Sequence, residues 1–242
     1  MSGFCRVHLL PALFEPAELR GGIAVIVDIL RASTTITHAL TNGAQKVIPC
    51  LSIDDALALR TSQGDEVLLG GERGGIRIDG FDLSNSPDDY SNSVVARKAI
   101  GFTTTNGTKA LLRSEQAQEI IIGSFANFSK VLERVVDSGR PIHVVCAGTN
   151  DAVTGEDVLF AGAVVHQLLE RNYDCCDSAQ IAHSYWKLTV GSHDNQAIEE
   201  AIRSAQGGKN LIALGYEKDI TTASQVDSVS TLGTCRDGAI FA

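Results

Sequence analysis

The sequence is poor in the residues that would place it in several common functional classes. It has five prolines, one methionine, one tryptophan and only 5% aromatic side chains among 242 residues. No stretch approaches the ~20 consecutive apolar residues of a membrane-spanning helix, so no membrane association is expected. The opening segment MSGFCRVHLLPALFEP has no basic leader followed by a long apolar region, and it breaks at Pro11 and Pro16, so a signal peptide is not expected. These two absences lead to the expectation of a soluble, cytoplasmic protein. Positive charge is also scarce: 20 Lys and Arg stand against 29 Asp and Glu, for a formal net charge of -9. That balance argues against a general nucleic-acid or polyanion binder, while leaving room for a local anion pocket.

Standard chemical signatures are missing too. The six cysteines form no CxxC pair, so neither a zinc site nor a thioredoxin-type motif is signalled. Adjacent Cys175 and Cys176 read as two surface or half-buried reduced thiols rather than a redox device. The six histidines show neither HxH nor HExxH spacing. There is no GxGxxG fingerprint and no GxxxxGK[ST] phosphate loop. No cysteine precedes an arginine at the spacing a cysteine phosphatase needs.

What is present is an alternation of apolar, β-branched runs with helix-like patterns. Strands are predicted over 5–10, 22–30, 46–50, 66–71, 119–125 and 142–148. Helices are predicted over 34–43, 128–139 and 155–170, with a shorter one capped by Ser52. GFTTTNGTKALLRS, residues 101–114, moves from strand through turn to helix. The C-terminal third reads as helical around NQAIEEAIRSA and KNLIALG and closes in a polar, extended tail. Such alternation predicts an α/β class, with a mainly parallel or mixed sheet covered by helices on both faces, in one compact unit over 1–242. Segments around 31–50 and 103–123 share an order of hydroxyl-rich turn, helix with Ala-Leu, then Ala-Gln and an apolar strand. Duplication and chance both account for that echo.

Ligands of open α/β sheets bind beyond the carboxyl ends of the strands, and four polar clusters follow apolar strands here. In IVDILRASTTI an apolar run ends on Asp28, with Arg31, Ser33 and Thr34 just beyond. A buried carboxylate needs a cation or donors, so Asp28 is a metal ligand, a partner of Arg31 or a cap. Ser33 and Thr34 are natural helix caps. In GGERGG, Glu72 and Arg73 lie between glycine pairs that either admit a ligand or make a tight turn. In TTTNGTKAL, residues Thr104, Thr105, Asn106, Gly107 and Thr108 enter a helix and form the best phosphate-cradle candidate in the chain. In CAGTNDAVTGEDVLFAG, Glu156 and Asp157 open an apolar helix; Thr154 with Asp157 has capping-box spacing, and cap and metal ligand stand level. Between these, the unpatterned stretch 72–93 contributes Asn85 and Ser86. Hard oxygen donors suit Mg²⁺, and hydroxyls beside helix starts suit phosphate, so Mg²⁺-assisted phosphoryl chemistry uses every cluster.

VDILRASTTI, GERGG, GFDLSNSP, TTTNGTKAL and CAG…EDVLFAG, in that order, resemble the 2-phosphosulfolactate phosphatase family. The resemblance covers residues from about 22 to about 165 and extends loosely to the C-terminus. It implies a Mg²⁺-dependent hydrolase that converts 2-phospho-3-sulfolactate to 3-sulfolactate and phosphate, a step of coenzyme M biosynthesis in methanogens. It also implies a three-layer α/β/α fold and a homodimer. The tail QVDSVSTLGTCRDGAIFA keeps Asp227 and Ser228 but lacks the proline such tails carry. The expected arrangement has Asp28, Glu72 and Asp157 around one Mg²⁺, with Glu156 as substitute or neighbour. The segment 103–108 would hold phosphate, and Arg31 and Arg73 the anionic groups. Water attack is preferred to an Asp28 phosphoenzyme, because the haloacid-dehalogenase signature needs an acid where Leu30 stands. The alternatives are a phosphatase for another small phospho-acid and a non-catalytic anion-binding protein.

Overall fold

The computed structural model describes residues 3–64 and 66–242. In chain order the first elements are β1 (Phe4–His8), β2 (Ile23–Val27), α1 (Ala32–Thr41), β3 (Lys46–Pro49), α2 (Ile53–Gln63), β4 (Leu68–Arg73) and β5 (Ile76–Arg77). Next come α3 (Asn92–Val95), β6 (Ala99–Thr103), α4 (Gly107–Arg113), β7 (Glu119–Gly123), α5 (Phe128–Asp137), β8 (Ile142–Cys146) and α6 (Gly155–Leu169). The chain ends with β9 (Asp174–Cys175), α7 (Asp177–Thr189), α8 (Asn195–Ser204), α9 (Gln206–Ala213), α10 (Glu217–Ala223), β10 (Thr234–Arg236) and β11 (Ala239–Phe241). No helix among the described residues is long and apolar enough to cross a membrane.

The strands form one mixed sheet in the order β5-β4-β6-β3-β11-β10-β7-β2-β8-β1-β9. Every residue of β2, IAVIV, is buried, as expected of a strand covered on both sides. Its side chains alternate between two cores. Val25 and Val27 pack with Phe160, Val164 and Trp186 beneath α5, α6 and α7. Ala24 and Ile26 pack with Ile36, Leu40 and Leu111 from α1 and α4. Helix, sheet and helix make the three-layer α/β/α fold.

Two parallel sets make up the sheet, β4-β6-β3 and β7-β2-β8-β1-β9. The C-terminal tail joins them: β10 runs antiparallel to β7, β11 antiparallel to β10, and β3 antiparallel to β11. The tail is thus not a loose extension. Its Asp237-Gly238 corner, with φ of 48° and 75°, has the left-handed pair that a tight two-residue hairpin turn requires. That turn delivers Ile240 fully buried beside Val47.

The two echoing segments form α1-β3 and α4-β7, which follow β2 and β6. Each crosses from one parallel set to the other, so β2 pairs with β7 and β3 with β6. The stretch 72–93 is also more ordered than its sequence predicts. Glu72 and Arg73 belong to β4 and pair with Arg77 and Ile76, and Leu83 bridges back to Gly70.

Candidate active site

The carboxyl ends of β2, β4, β6 and β8 open into a cleft of about 360 Å³. Asp28 and Arg31 line it after β2, Glu72 at the end of β4, Thr105 and Asn106 after β6, and Asn150 after β8. Asn85 reaches it from the stretch following β5, and α9 closes the remaining side through Gly207, Asn210 and Leu211.

Asp28 is the first residue past β2, because the strand ends at Val27. It is 6% exposed, and the one hydrogen bond to its carboxylate among the described residues is a 3.3 Å bond to Oδ1 from Ala32 N–H. Burial pushes its pKa up to about 7, and the charges of Glu72 and Glu156 push the same way. It does not hydrogen-bond Arg31. Across from it, a Cβ on Gly107 would lie 2.6 Å from Asp28 Oδ2 and 2.7 Å from Ala32 Cβ. The glycine is needed there so that the start of α4 can approach the carboxylate.

The hydroxyls around Asp28 turn inward. Ser33 Oγ accepts from Asp28 N–H at 2.8 Å and donates to Ile26 O at 3.1 Å. Thr34 Oγ1 donates to Ile29 O at 2.9 Å. Both residues are buried and neither lines the cleft, so their hydroxyls fasten the strand end rather than face a ligand.

Arg31 lines the cleft with its guanidinium held from outside. Nη1 donates to Asp219 Oδ2 at 2.6 Å, Nη2 donates to Gly75 O at 2.6 Å, and the group sits 4.4 Å from the Tyr216 ring centre. Ser86 Oγ donates to the other Asp219 oxygen at 2.6 Å. Asp219 is buried, which raises its pKa. Asn85, beside Ser86, is buried with Oδ1 unpartnered.

Glu72 and Asp157 have both carboxylate oxygens engaged by main-chain N–H groups. Glu72 Oε1 accepts from Thr105 at 2.7 Å and Oε2 from Gly75 at 2.7 Å, tying the β6 turn to the β4–β5 corner. Asp157 Oδ1 accepts from Ile29 at 2.8 Å and Oδ2 from Gly148 at 2.9 Å, tying the ends of β2 and β8. The Thr154–Asp157 capping box is therefore not formed: the carboxylate reaches across the sheet end instead of back along its own helix. Burial, with Asp28 and Glu156 nearby, holds the Asp157 pKa well above the usual carboxylate range.

Glu156 differs from its neighbour. It is 2% exposed, its Oε2 has no hydrogen-bond partner, and burial raises its pKa. The main chain at the start of α9 lies directly on this carboxylate, since a Cβ on Gly207 would fall 2.1 Å from Oε1.

Two further expectations need correction. Arg73 does not line the cleft; it donates to Glu72 O at 2.7 Å and to Thr103 Oγ1 at 2.9 Å, holding β4 to β6. Thr104 and Thr108 are buried and bond to each other's main-chain N–H, at 3.2 and 3.3 Å. Of that cluster, Thr105 and Asn106 face the cleft. Thr105 Oγ1 has no partner, and Asn106 Oδ1 accepts from Asn150 N–H at 3.1 Å.

The model of the 2-phosphosulpholactate phosphatase family matches residues 8–238. The chain belongs to this family. A probable 2-phosphosulfolactate phosphatase of Thermotoga petrophila is 40% identical over 97% of this chain and 97% of its own. One from Clostridium acetobutylicum is 34% identical over 93% and 94%, and one from Clostridium perfringens is 36% identical over 93% and 91%. These relatives thus align over nine-tenths or more of the chain, and the family model reaches past the C-terminal helices that close the cleft. The sequence reads two of those helices as helical, around NQAIEEAIRSA and KNLIALG, but gives them no part in the site. Asp219 reads there as an ordinary first-turn acid of α10, and Gly207 as one of two glycines just before the helical KNLIALG stretch.

Whether the cleft suits a hard cation follows from its acids. Asp28 lines the cleft and Glu156 lies beneath the start of α9, and both are buried carboxyls with raised pKa values, a state relieved by a proton or a cation. Among the described residues no three His, Cys, Asp or Glu side chains form a ready-made metal cage.

Proposed function

We propose that the protein is a Mg²⁺-dependent phosphomonoester hydrolase that converts 2-phospho-3-sulfolactate and water to 3-sulfolactate and phosphate. The observation that carries this reading is Asp28, a buried acid that lines the cleft with one weak bond to its carboxylate, with the buried Glu156 and its unpartnered Oε2 beneath the start of α9, in a chain of this family. They would hold the Mg²⁺, which would supply Lewis-acid stabilisation of charge on the phosphoryl group. Glu72 and Asp157, expected from the sequence as ligands, serve as clamps that fix the loops around it. Asn85, Thr105 and Asn106 present polar groups to the substrate, and Arg31 offers its remaining N–H donors to an anionic group. Water oxygen forms the new bond to phosphorus, the ester P–O bond breaks, and the freed substrate hydroxyl takes up a proton. The closing contacts of α9 limit solvent access during this exchange.

The test is phosphate release by purified protein, with and without Mg²⁺, across small phospho-acids including phosphosulfolactate. Mg²⁺-dependent release greatest on the sulfonated substrate is the expected result. Release greatest on another phospho-acid keeps the chemistry and changes the substrate. Tight phosphate binding without any release overturns the enzymatic reading in favour of an anion-binding protein.

A further inference from the structure

Arg31 is the one arginine lining the cleft among the described residues, and its guanidinium is held firmly. Arg31 and Asp219 are each 2% exposed, and their bond joins residues 188 positions apart. Gly75 O holds the second Nη, and the Tyr216 ring covers a face of the group. Asp219 is fixed in turn, because Ser86 occupies its other oxygen. Beside this chain lies a polar atom with nothing to bind: Asn85 Oδ1, buried, on a residue lining the same cleft.

We propose that Asp219 is a positioning residue for the substrate: acting through Arg31, it aims the unused N–H donors of the guanidinium at an anionic group of a bound phospho-acid. The physical case rests on what the ion pair leaves available. A free arginine head samples many rotamers, and fixing it costs entropy each time a ligand binds. Here the carboxylate, the Gly75 carbonyl and the Tyr216 ring fix it beforehand, so the ligand meets donors already aimed. The pair is desolvated, and its net charge is near zero. Arg31 therefore recognises by directed hydrogen bonds rather than by a long-range field. The proposal rests on the phosphatase reading only in taking the ligand to be an anionic phospho-acid.

The test is a double-mutant cycle with Asp219→Asn and Arg31→Ala, reading KM and kcat on the best phospho-acid and the Kd of inorganic phosphate by calorimetry. Asn keeps the volume and can still meet Arg31 through its oxygen and Ser86 through its NH2, but it removes the carboxylate charge, so the charge-assisted hold on the guanidinium is weakened. Asp219→Asn is expected to raise KM and phosphate Kd about tenfold, with kcat changed much less. In the Arg31→Ala background it is expected to change either by less than about twofold. Unchanged KM and Kd in Asp219→Asn, or the same factor in both backgrounds, overturns the assignment. Should Asp219→Asn fail to fold, Ser86→Ala is read through the same cycle, and an unchanged phosphate Kd there overturns it. Wild-type protein that binds phosphate but hydrolyses no phospho-acid defeats the phosphatase reading, and the cycle on phosphate affinity still decides the role of Asp219. Wild-type protein that binds no phosphate overturns both.

Discussion

The turns after β2 and β6 occupy matching places in the two crossing units, yet they are built in opposite ways. After β2 the chain places Asp28 and Arg31 at the cleft and uses Ser33 and Thr34 to fasten the strand end from within. After β6 it places no charge; Thr104 and Thr108 close the turn on themselves, and Gly107 leaves space. The two helix starts face each other there, with the carboxylate of one turn filling the place where the other has no side chain. One turn supplies charge and the other supplies room. Acids on both turns at this distance would repel, so the uncharged turn is what lets α4 approach Asp28 so closely.

The largest effect that tests this division is on the charged side. Asp28→Asn should reduce kcat by about 10²-fold or more in the phosphate-release assay, since it removes an oxygen donor offered to the cation. Near-normal turnover would place the chemistry elsewhere. The same residue governs a stability effect. Its pKa is raised from 3.8 to about 7, so between those values the folded state holds a proton that the unfolded state has released. Stability is therefore highest below about pH 4 as far as this group is concerned, and it falls as pH rises toward 7. The raised pKa values of Glu156, Asp157 and Asp219 act in the same direction. Metal-free protein should lose more than about 1 kcal/mol between pH 5 and pH 8, read by urea denaturation, and Asp28→Asn should flatten the slope. Adding Mg²⁺ at pH 8 should restore stability in the wild type, by about 2.7 kcal/mol at a hundredfold excess over Kd, and much less in the variant. A slope of the opposite sign would show that the acids are ionised and paired at neutral pH.

The space on the other turn is tested by Gly107→Ala. Its methyl group would meet Asp28 Oδ2 and the Ala32 methyl well inside contact distance. A loss of about 1–3 kcal/mol is expected, with a matching fall in Mg²⁺-induced stabilisation because the Asp28 carboxylate must move. Wild-type stability in this variant would mean that α4 can retreat, and that the close approach is not what holds the site.

Much of this was visible in the sequence, and the reasons are specific. Asp28, Glu72 and Thr105 stand out as candidates because each ends or closely follows an apolar strand, whereas the Glu156–Asp157 pair, opening a helix, reads equally as a cap. Their division of labour could not be found. Glu156 and Asp157 are adjacent, but on a helix adjacent residues point in different directions, and only the fold shows Asp157 bonded to Ile29 and Gly148 while Glu156 keeps a free oxygen. Asp219 was out of reach because its partner lies 188 residues away. The hairpin in the middle of the sheet was signalled by Asp237-Gly238. It was masked by flanking strands of three residues each, too short to show alternation.

The smallest expected effect separates two threonines three positions apart. Thr108 Oγ1 accepts from Thr104 N–H and is buried, whereas Thr105 lines the cleft with its hydroxyl unpartnered. Thr108→Val should therefore cost about 1 kcal/mol, as the loss of a helix-start hydroxyl does, and lower Tm by about 2–4 °C with KM unchanged. Thr105→Val removes a hydroxyl that makes no internal bond, so its stability should hold while KM for the phospho-acid rises about threefold to tenfold. The hydroxyl of a residue that braces a turn and the hydroxyl of a residue that meets a ligand look alike in TTTNGTKAL. They part company in which observable moves, and an exchange of the two outcomes would return the phosphate cradle to Thr108.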